Sequence, residues 1–283
     1  MKKFIIYIVI ATSLKRTNML IQKALTSVYA QKNINPLNIK IIIVDDNEDK
    51  KEIDIIRNRV QALRREFNFY TQNIFATQIV KNQRTRFYSG TGAWNTAINI
   101  VTTTQRNNSY IAILDDDDFY HLEYLSMLCK KLQEEPDLIA IFSPITWIFP
   151  NYQEKFELKL KDFTERNFFI KNPGVQGSNM FFRSDILKNI NGFDENLMSA
   201  TDRDLMIRFI DYAQKNSMFS KICILDDSYV FYNATNESSI TNNKEKKHLG
   251  LDRFYQKYAS QFSKSDLDLS LQRAKKLFDY EYK

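Results

Sequence analysis

Cysteine and histidine are scarce in this chain of 283 residues, which contains two of each. Cys129 and Cys223 lie in apolar stretches and take part in no CxxC or Cys/His ligand spacing. A zinc site built on sulfur is therefore not expected, and the two thiols indicate buried side chains in a reducing compartment. If the protein binds a metal, the sequence favours a hard cation held by oxygen.

Long apolar runs are also missing, since no segment approaches the roughly 20 apolar residues that span a bilayer. The N-terminal stretch MKKFIIYIVIATS has the basic start and the apolar length of a signal peptide. The run is β-branched, contains no A-x-A cleavage signal and leads into a helical pattern, so a buried first strand explains it better. We therefore expect a cytoplasmic protein, with peripheral association on the inner face of the membrane as an alternative.

Positive charge is in modest excess, because Lys and Arg number 40 against 34 Asp and Glu, and the pI is about 9.0. Such an excess suits a partner that carries phosphates or an anionic membrane surface, and an ordinary basic solvated surface explains it equally well. With 43% hydrophobic residues the chain can bury a real core. This fits one large α/β domain, or a domain with a smaller appendage.

Strand and helix patterns alternate along the first half of the chain. Apolar runs predict strands over 4–11, 39–44, about 72–80 and 109–114, and amphipathic periods predict helices over 17–31, 50–66 and 92–104. This alternation predicts a single, mostly parallel, Rossmann-like α/β sheet with helices on both faces. Further on, we expect an irregular segment over 150–172, helices near 185–190 and over 201–216, a strand over 220–232 and a charged helical tail over 245–281.

Acidic residues follow two of the predicted strands. Asp45 and Asp46 end one strand, and four consecutive aspartates, Asp115 to Asp118, end another. In open α/β sheets ligands bind beyond the carboxyl ends of the strands, so both sets of carboxylates are expected to face one crevice. Four adjacent carboxylates repel one another, by up to about 1 kcal/mol per close pair even in bulk water, unless a cation compensates them.

A divalent cation is the interpretation of the aspartate run that we favour. Mg²⁺ or Mn²⁺ prefers carboxylate oxygen and keeps open positions for substrate phosphates. Alternate residues of an extended turn point the same way, so Asp115 and Asp117 can reach one ion while Asp116 and Asp118 face elsewhere. The alternative is a turn in which Asp118 caps a helix that starts near His121, although one aspartate would suffice for a cap.

Five segments, in order, resemble the family 2 glycosyltransferases over roughly residues 3 to 232. They are IVIATS with LTSVYAQ, IIIVDDNED, YIAILDDDDFY, GSNMFFRSDILKNINGFDENL and ATDRDLMIRF. VDD and DxD are weak patterns alone, but five segments in the right order and spacing make a strong match. The resemblance implies an A-type glycosyltransferase fold over 1–240, with a nucleotide-sugar half over about 1–120, an acceptor half over about 121–240 and a C-terminal helical extension over 241–283.

The resemblance also implies an activity. Enzymes of this kind move a sugar from a nucleotide-diphosphate donor, here a UDP-sugar by preference, to a hydroxyl of a glycan or lipid-linked acceptor, with inversion of configuration. The implied cofactor is Mn²⁺ or Mg²⁺, and the implied setting is bacterial surface-polysaccharide synthesis. No nucleic acid is expected as a partner.

Site residues are implied by the same resemblance. Those implied for the nucleotide sugar are Thr12, Ser13, Asp45, Asp46, Arg84, Arg86, Asp115 and Asp116. The metal is assigned to Asp115 and Asp117, with Asp117 preferred for direct coordination. Arg86 is the first candidate for a basic side chain on the nucleotide and Arg84 the second, because a guanidinium offers planar, bidentate donors to phosphate or a pyrimidine carbonyl. A solvated arginine before a helix is the alternative.

The family's catalytic base matches Asp202 in the segment SATDRDLMIRF. Thr201 stands where the family has a glutamate, so any tuning of the base by a neighbouring carboxylate is in doubt. A helix N-terminal charge favoured by the dipole is the structural alternative for Asp202. Asp204 is assigned to a salt bridge or an acceptor contact. The residues assigned to the acceptor and other roles are Asp204, Gly177, Ser178 and Asn179.

A second departure lies in VFYNATNESSIT, where relatives often carry a tyrosine, a basic residue and a histidine. Asn233 and Thr235 or Asn236 stand there instead, so a metal or phosphate contact by that histidine is missing or replaced. His248, in the charged tail, is expected on the surface. Five lysines of this tail would attract an anionic membrane or form a plain solvated face: Lys244, Lys246, Lys247, Lys275 and Lys276.

Three other classes of protein share some of these features. A phosphoacceptor receiver module needs acids after its first strand, which here ends in IATS. A sugar-phosphate nucleotidyltransferase commonly starts with a Gly-rich loop, and IATSLKRTN over 10–18 contains no glycine. A nucleotide-sugar binding protein of the same fold that has lost activity is the third, because Thr201 and the missing histidine both depart from the family pattern.

Overall fold

The computed structural model describes residues 4–70, 75–85, 90–104, 108–235 and 243–282. Its strands are β1 (Ile5–Thr12), β2 (Ile39–Asp45), β3 (Ala76–Lys81), β4 (Ser109–Asp115), β5 (Phe119–Tyr120), β6 (Ala140–Phe142), β7 (Ile145–Ile148), β8 (Gln153–Phe156), β9 (Met180–Arg183), β10 (Ile222–Ile224) and β11 (Val230–Asn233). Its α-helices are α1 (Thr17–Met19), α2 (Thr26–Tyr29), α3 (Glu52–Tyr70), α4 (Thr91–Thr104), α5 (Tyr124–Glu134), α6 (Glu165–Ile170), α7 (Ser184–Asn189), α8 (Thr201–Lys215), α9 (Lys244–Tyr258) and α10 (Lys264–Phe278).

A seven-stranded sheet in the order β10-β6-β9-β4-β1-β2-β3 forms the centre of the fold. β1 runs parallel to both of its neighbours, and only β9 runs antiparallel to the strands beside it. The register places Thr12 of β1 opposite Asp45 of β2, and Ala11 opposite Asp115 of β4. The two predicted acidic clusters therefore leave the sheet side by side at one edge.

The apolar runs of the central strands reflect burial on both faces of the sheet. Alternate side chains of a strand point to opposite faces, and Val9 joins one apolar cluster while Ile8 and Ile10 join the other. Helices α4, α7 and α8 cover the first face, and the helical segment over 17–29, α3 and α5 cover the second. The expected fold class, a mostly parallel sheet flanked by helices, is confirmed.

A second sheet, in the order β5-β11-β7-β8, was not expected from the sequence. The single strand predicted over 220–232 is wrong, because β10 joins the large sheet and β11 joins the small one. Two aspartates, Asp226 and Asp227, interrupt the apolar run between them. The segment over 150–172, expected to be irregular, contains β8 and α6.

Three predicted helices differ from the structure in detail. The helix expected over 17–31 has a π-helical centre, Leu20–Leu25, between α1 and α2. No helix starts near His121, because Phe119 and Tyr120 first pair with β11, and α5 begins at Tyr124. The helical tail expected over 245–281 consists of two helices, α9 and α10, which lie against α6 and α8 and bury Leu251, Phe254 and Tyr255. Across the described ranges, the helices are too short or too polar for any of them to span a bilayer.

Candidate functional site

The four aspartates that follow β4, Asp115 to Asp118, are called the acidic loop here. Their side chains have unequal surroundings. Asp116 is fully buried and accepts a 2.8 Å hydrogen bond from the Thr12 hydroxyl. Asp118, also fully buried, accepts hydrogen bonds from the Ser178 hydroxyl at 2.6 Å and from the Asn233 N–H at 2.9 Å. Within the described residues, nothing donates a hydrogen bond to the Asp115 carboxylate. As expected for alternate residues, Asp116 and Asp118 are used by the scaffold.

Arg16 is the cation that the structure adds to this acidic loop, and the sequence did not single it out. Its guanidinium lies 2.7 Å from Asp116 and 3.6 Å from Asp117. Leu14 and Lys15 precede it with φ of 52° and 57°, a left-handed conformation that side chains other than glycine rarely adopt. The Lys15 N–H donates to the Asn47 side chain at 2.8 Å, which helps to hold this turn. Such strain is typical of positions whose geometry serves a site.

Burial makes the ionised form of the carboxylates in this loop unfavourable. It raises the pKa of Asp115 well above its ordinary value, and the negative charges of Asp118, Asp117, Asp116 and Asp202 raise it further. Burial raises the pKa of Asp118 to about 8 and that of Asp116 to about 7, the latter against the lowering effect of Arg16. A bound cation would relieve this repulsion, because it favours the ionised carboxylates.

The donor set fits a small divalent cation bound in part by substrate. No group of three or more His, Cys, Asp or Glu side chains within the described ranges is arranged to hold a metal. Mg²⁺, however, is usually held by one or two carboxylates together with substrate phosphates. The carboxylates that would hold such an ion are that of Asp115, which accepts no hydrogen bond from the described part of the chain, and that of Asp117, which is 8% exposed.

Asp45 and Asp46 lie beside this loop and are almost completely buried. The Asp45 carboxylate accepts the N–H of Asn47 and pairs with Lys81 at 2.6 Å. The Asp46 carboxylate accepts a 2.6 Å hydrogen bond from the Asn82 amide, and the Asp46 N–H donates to the Thr12 carbonyl at 2.8 Å. Both acids thus shape the end of the sheet, and their contact with a base or ribose stays a prediction.

Three further residues were expected at the nucleotide, Ser13, Arg84 and Arg86, and the structure describes the first two. Ser13 is half-buried directly after β1, and its carbonyl accepts the N–H of Arg16 at 3.0 Å. Arg84 is half-exposed and pairs with Glu195, which also accepts a 2.8 Å hydrogen bond from the Asn95 amide. Arg86, the preferred basic residue, lies outside the described residues.

The segment Gly177–Asn179 supports the acidic loop from the opposite side. A side chain at position 177 would lie 3.5 Å from the Asp115 carboxylate. The Ser178 hydroxyl accepts the N–H of Asp115 at 3.0 Å while it donates to Asp118. Asn179 is fully buried and donates to the carbonyls of Ser143 and Gly174, so its observed contacts are structural.

Asp202 lies in the first turn of α8, at a cavity of about 160 Å³ that the tail helices help to form. Burial raises the pKa of Asp202 to about 7, and the positive charge of Lys247 on α9 opposes this rise. Asp202 is close enough to the acidic loop for its charge to raise the pKa of Asp115. Asp202 and Asp115 are therefore within electrostatic range of each other, and their roles as base and metal ligand stay predictions.

Asp204 is placed away from this cavity. Its fully buried carboxylate pairs with Arg208 and with Lys257, each at 2.6 Å, and accepts a 2.8 Å hydrogen bond from the Tyr258 hydroxyl. Of the two roles assigned to it, the observed contacts are those of the salt bridge. These bonds tie α8 to α9 and so help to place the tail.

The second departure from the family pattern, the segment that contains Asn233, reaches the acidic loop in the structure. Asn233 is buried, and its N–H bonds to Asp118. Asn236 lies outside the described residues. His248, expected on the surface, is partly exposed, and its Nε2 lies 2.8 Å from the Phe278 carbonyl, which links α9 to α10.

Comparison with known sequences gives two matches. A family model described as Glycosyl transferase family 2 matches residues 8–190. An uncharacterised glycosyltransferase of Methanocaldococcus jannaschii, MJ1057, is 28% identical over 215 residues, which are 74% of this chain and 64% of that protein. The chain therefore spans less than two thirds of the length of this relative.

Comparison with solved structures shows the fold. S. aureus TarS 1-349 in complex with UDP-GlcNAc is 13% identical, with a TM-score of 0.58 over 97% of this chain and 80% of that one. A further TarS crystal structure matches with a TM-score of 0.58 and 14% identity, but over 45% of its own chain. The mannosyltransferase PcManGT from Pyrobaculum calidifontis, in complex with GDP-Man and Mn²⁺, is 16% identical, with a TM-score of 0.56 over 95% of this chain and 69% of that one.

Proposed function

Because the chain belongs to glycosyl transferase family 2, we propose that it transfers a sugar from a nucleotide-diphosphate donor to an acceptor hydroxyl, with inversion at the anomeric carbon. A UDP-sugar is the preferred donor, and a glycan or lipid-linked molecule the acceptor. TarS and PcManGT bind UDP-GlcNAc and GDP-Man, respectively, which supports a nucleotide-sugar donor. Surface-polysaccharide synthesis in the cytoplasm is the setting that goes with this proposal.

One observation carries the proposal: buried aspartates that follow β2 and β4 lie side by side at one edge of the large sheet, where the Arg16 guanidinium lies 2.7 Å from Asp116. An inverting transfer needs a base on the acceptor side and a charge-stabilising group on the diphosphate side. Asp202 is the base on the acceptor side. The acidic loop, together with Arg16, stabilises charge on the diphosphate side. The residues proposed for the nucleotide sugar are Thr12, Ser13, Asp45, Asp46, Arg84, Arg86, Asp115 and Asp116.

The reaction follows from these positions. Asp202 accepts the proton of the acceptor hydroxyl as its oxygen forms a bond to the anomeric carbon. The bond from that carbon to the diphosphate oxygen breaks, and its electron pair leaves with the nucleoside diphosphate. A divalent ion on Asp115 and Asp117 would supply charge neutralisation for the diphosphate. Arg16, held by Asp116, lies beside the same carboxylates and adds a fixed positive charge.

The test is a thermal-shift screen of UDP- and GDP-sugars with and without Mn²⁺. A donor at 100 times its dissociation constant should raise the free energy of unfolding by about 2.7 kcal/mol. The stabilisation should require the ion and should be lost in Asp117→Asn. Absence of any ion-dependent stabilisation by these sugars would contradict the proposal.

Products distinguish the proposal from its two rivals. An active transferase releases nucleoside diphosphate, by transfer or by slow hydrolysis of the donor, and the anomeric configuration of the transferred sugar is read by NMR. A nucleotidyltransferase instead releases monophosphate derivatives or needs pyrophosphate. A nucleotide-sugar binding protein without activity would show ion-dependent binding and no turnover with any acceptor.

A further inference from the structure

The cavity beside Asp202 is built from four helices. The C-terminal end of α6, the first turn of α8 and the two tail helices α9 and α10 contribute its walls. Its charged and amide side chains are Lys171, Asn172, Asp202, Arg203, Lys247 and Arg273. None of the four aspartates after β4 lines it, and neither does Arg16. The cavity therefore adjoins the proposed base on a side other than that of the donor diphosphate.

Positive charge exceeds negative charge in this cavity. Arg203 is already used by the scaffold, because its Nε donates to the Phe168 carbonyl at 2.8 Å and its guanidinium lies 4.2 Å from the centre of the Phe254 ring. Lys171, Lys247 and Arg273 remain, and none of the three forms an ion pair within the described ranges. We call these three residues, with Asp202, the tail pocket.

Lys247 is the least solvated cation of the tail pocket. Its Nζ lies 4.6 Å from the centre of the Phe278 ring, and burial lowers its pKa while the charge of Asp202 opposes that effect. A desolvated ammonium without an ion-pair partner is costly, and an anion in the pocket would compensate it. Thr201, which stands where the family has a glutamate, brings no negative charge next to Asp202. The N-terminus of α8 adds positive partial charge.

We propose that the tail pocket binds an oxyanion of the acceptor, a phosphate or a carboxylate, next to the hydroxyl that Asp202 deprotonates. This inference rests on the proposed function and extends it, since it names the acceptor as anionic. Lys247 and Arg273 hold the oxyanion, and Lys171 contributes from α6. The tail helices are then part of the acceptor site.

The test compares two variants with the same change of charge on the same two helices. Lys247→Gln with Arg273→Gln removes two cations of the tail pocket. Lys244→Gln with Lys276→Gln removes two exposed cations of α9 and α10 that do not line the cavity. Binding of ³²P-orthophosphate is measured by equilibrium dialysis at constant ionic strength, with excess UDP and Mn²⁺ present to fill the donor side.

One phosphate per chain should bind to the unmodified protein and to the control. Its affinity should fall at least about tenfold in the pocket variant, because each hydrogen bond to a charged group that is lost is worth about a factor of ten. Equal affinities of the pocket variant and the control would overturn the inference. Should the pocket variant not fold, Arg273→Gln alone is compared with Lys276→Gln alone, because both are exposed positions of α10 and each change removes one cation.

Competition then identifies the anion. Displacement of phosphate by glycerol 1-phosphate supports a phosphorylated acceptor, and displacement by glucuronate supports a carboxylated one. Displacement by neutral glucose as effective as by either anion would overturn the inference. Stabilisation by UDP and Mn²⁺, measured on the same preparations, reports on the proposed function separately, because it does not depend on the tail pocket.

Discussion

At the scale of single residues, the surroundings of Asp202 disfavour the ionised form of its carboxylate. Burial raises its pKa to about 7, and Lys247 acts in the opposite direction. A general base works best when its pKa lies near the operating pH, since it is then both ionised and basic enough to take a proton. The same environment that makes the ionised carboxylate unfavourable therefore suits it to catalysis.

Asp202→Asn should lower turnover by about 10²–10⁴-fold, because the amide keeps the shape of the side chain but cannot accept the proton. UDP-sugar binding should change little, since the acidic loop is intact. Steady-state transfer and thermal shift measure the two effects. Asp211→Asn, an exposed change on the same helix, is the matched control. Normal turnover in the Asp202 variant would refute its role as the base.

The pH dependence of transfer should report the ionisation of Asp202. Its raised pKa means that the base is ionised above about pH 7 and becomes protonated as the pH falls through that value. The value of kcat/KM should therefore fall about tenfold per pH unit on the acid side. A profile that stays level from pH 8 to pH 5, at saturating Mn²⁺, would contradict the assignment.

At the scale of elements, α9 packs so closely on the turn before α8 that a methyl group does not fit between them. A Cβ at Gly250 of α9 would lie 2.3 Å from the Ser199 backbone nitrogen. The Ser199 hydroxyl also donates to the Lys247 carbonyl at 3.0 Å. This contact fixes the helix that carries Lys247 relative to the helix that carries Asp202.

Gly250→Ala should therefore destabilise the fold by about 1–3 kcal/mol, although alanine favours a helix over glycine by about 1 kcal/mol. The overpacking cost is greater because the obstructing atom belongs to the backbone. Urea denaturation gives the free energy of unfolding. Leu249→Ala, at a neighbouring position with 42% exposure, serves as the control. A Gly250 variant as stable as the unmodified protein would mean that α9 is not held against this turn.

At the scale of the whole molecule, the two tail helices share the apolar cluster that covers one face of the large sheet. Phe254 and Tyr255 of α9 are fully buried, and Phe169 of α6 stacks on Phe262, between the tail helices, with ring centres 4.1 Å apart. The division of the chain at residue 240 stays a prediction about domains. The packing shows that residues on both sides of it contribute to one core.

Hydrogen exchange of the full chain should show this joint core. Amides in the middle of α9 should exchange with about the same free energy of opening as those of α8, because opening α9 alone would expose the shared aromatic cluster. Exchange resolved by peptide mass spectrometry measures both helices in one sample. Fast exchange in α9 while α8 stays protected would show that the tail opens independently.

Much of the fold could be predicted from the sequence because the central strands of the large sheet are buried on both faces. β1, β2 and β4 appear in the sequence as apolar runs, interrupted in β2 by Lys40, and the ends of β2 and β4 carry the acids that lie together in the structure. The short strands could not be predicted from the sequence in the same way. Only five residues, LDDSY, separate β10 from β11 in the sequence, and which sheet each strand joins depends on partners, β6 and β7, that lie some 80 residues earlier in the chain.

The sequence by itself determined the alternation of strands and helices in the first half of the chain, the place of the acids at strand ends and the family to which the chain belongs. These features are local or periodic, so neighbouring residues express them. Only the tertiary structure decided that Arg16 pairs with Asp116 and that Lys247 lies beside Asp202. Such pairs join residues that are distant in sequence, and their positions follow from helix packing and burial, which no single stretch of the chain encodes.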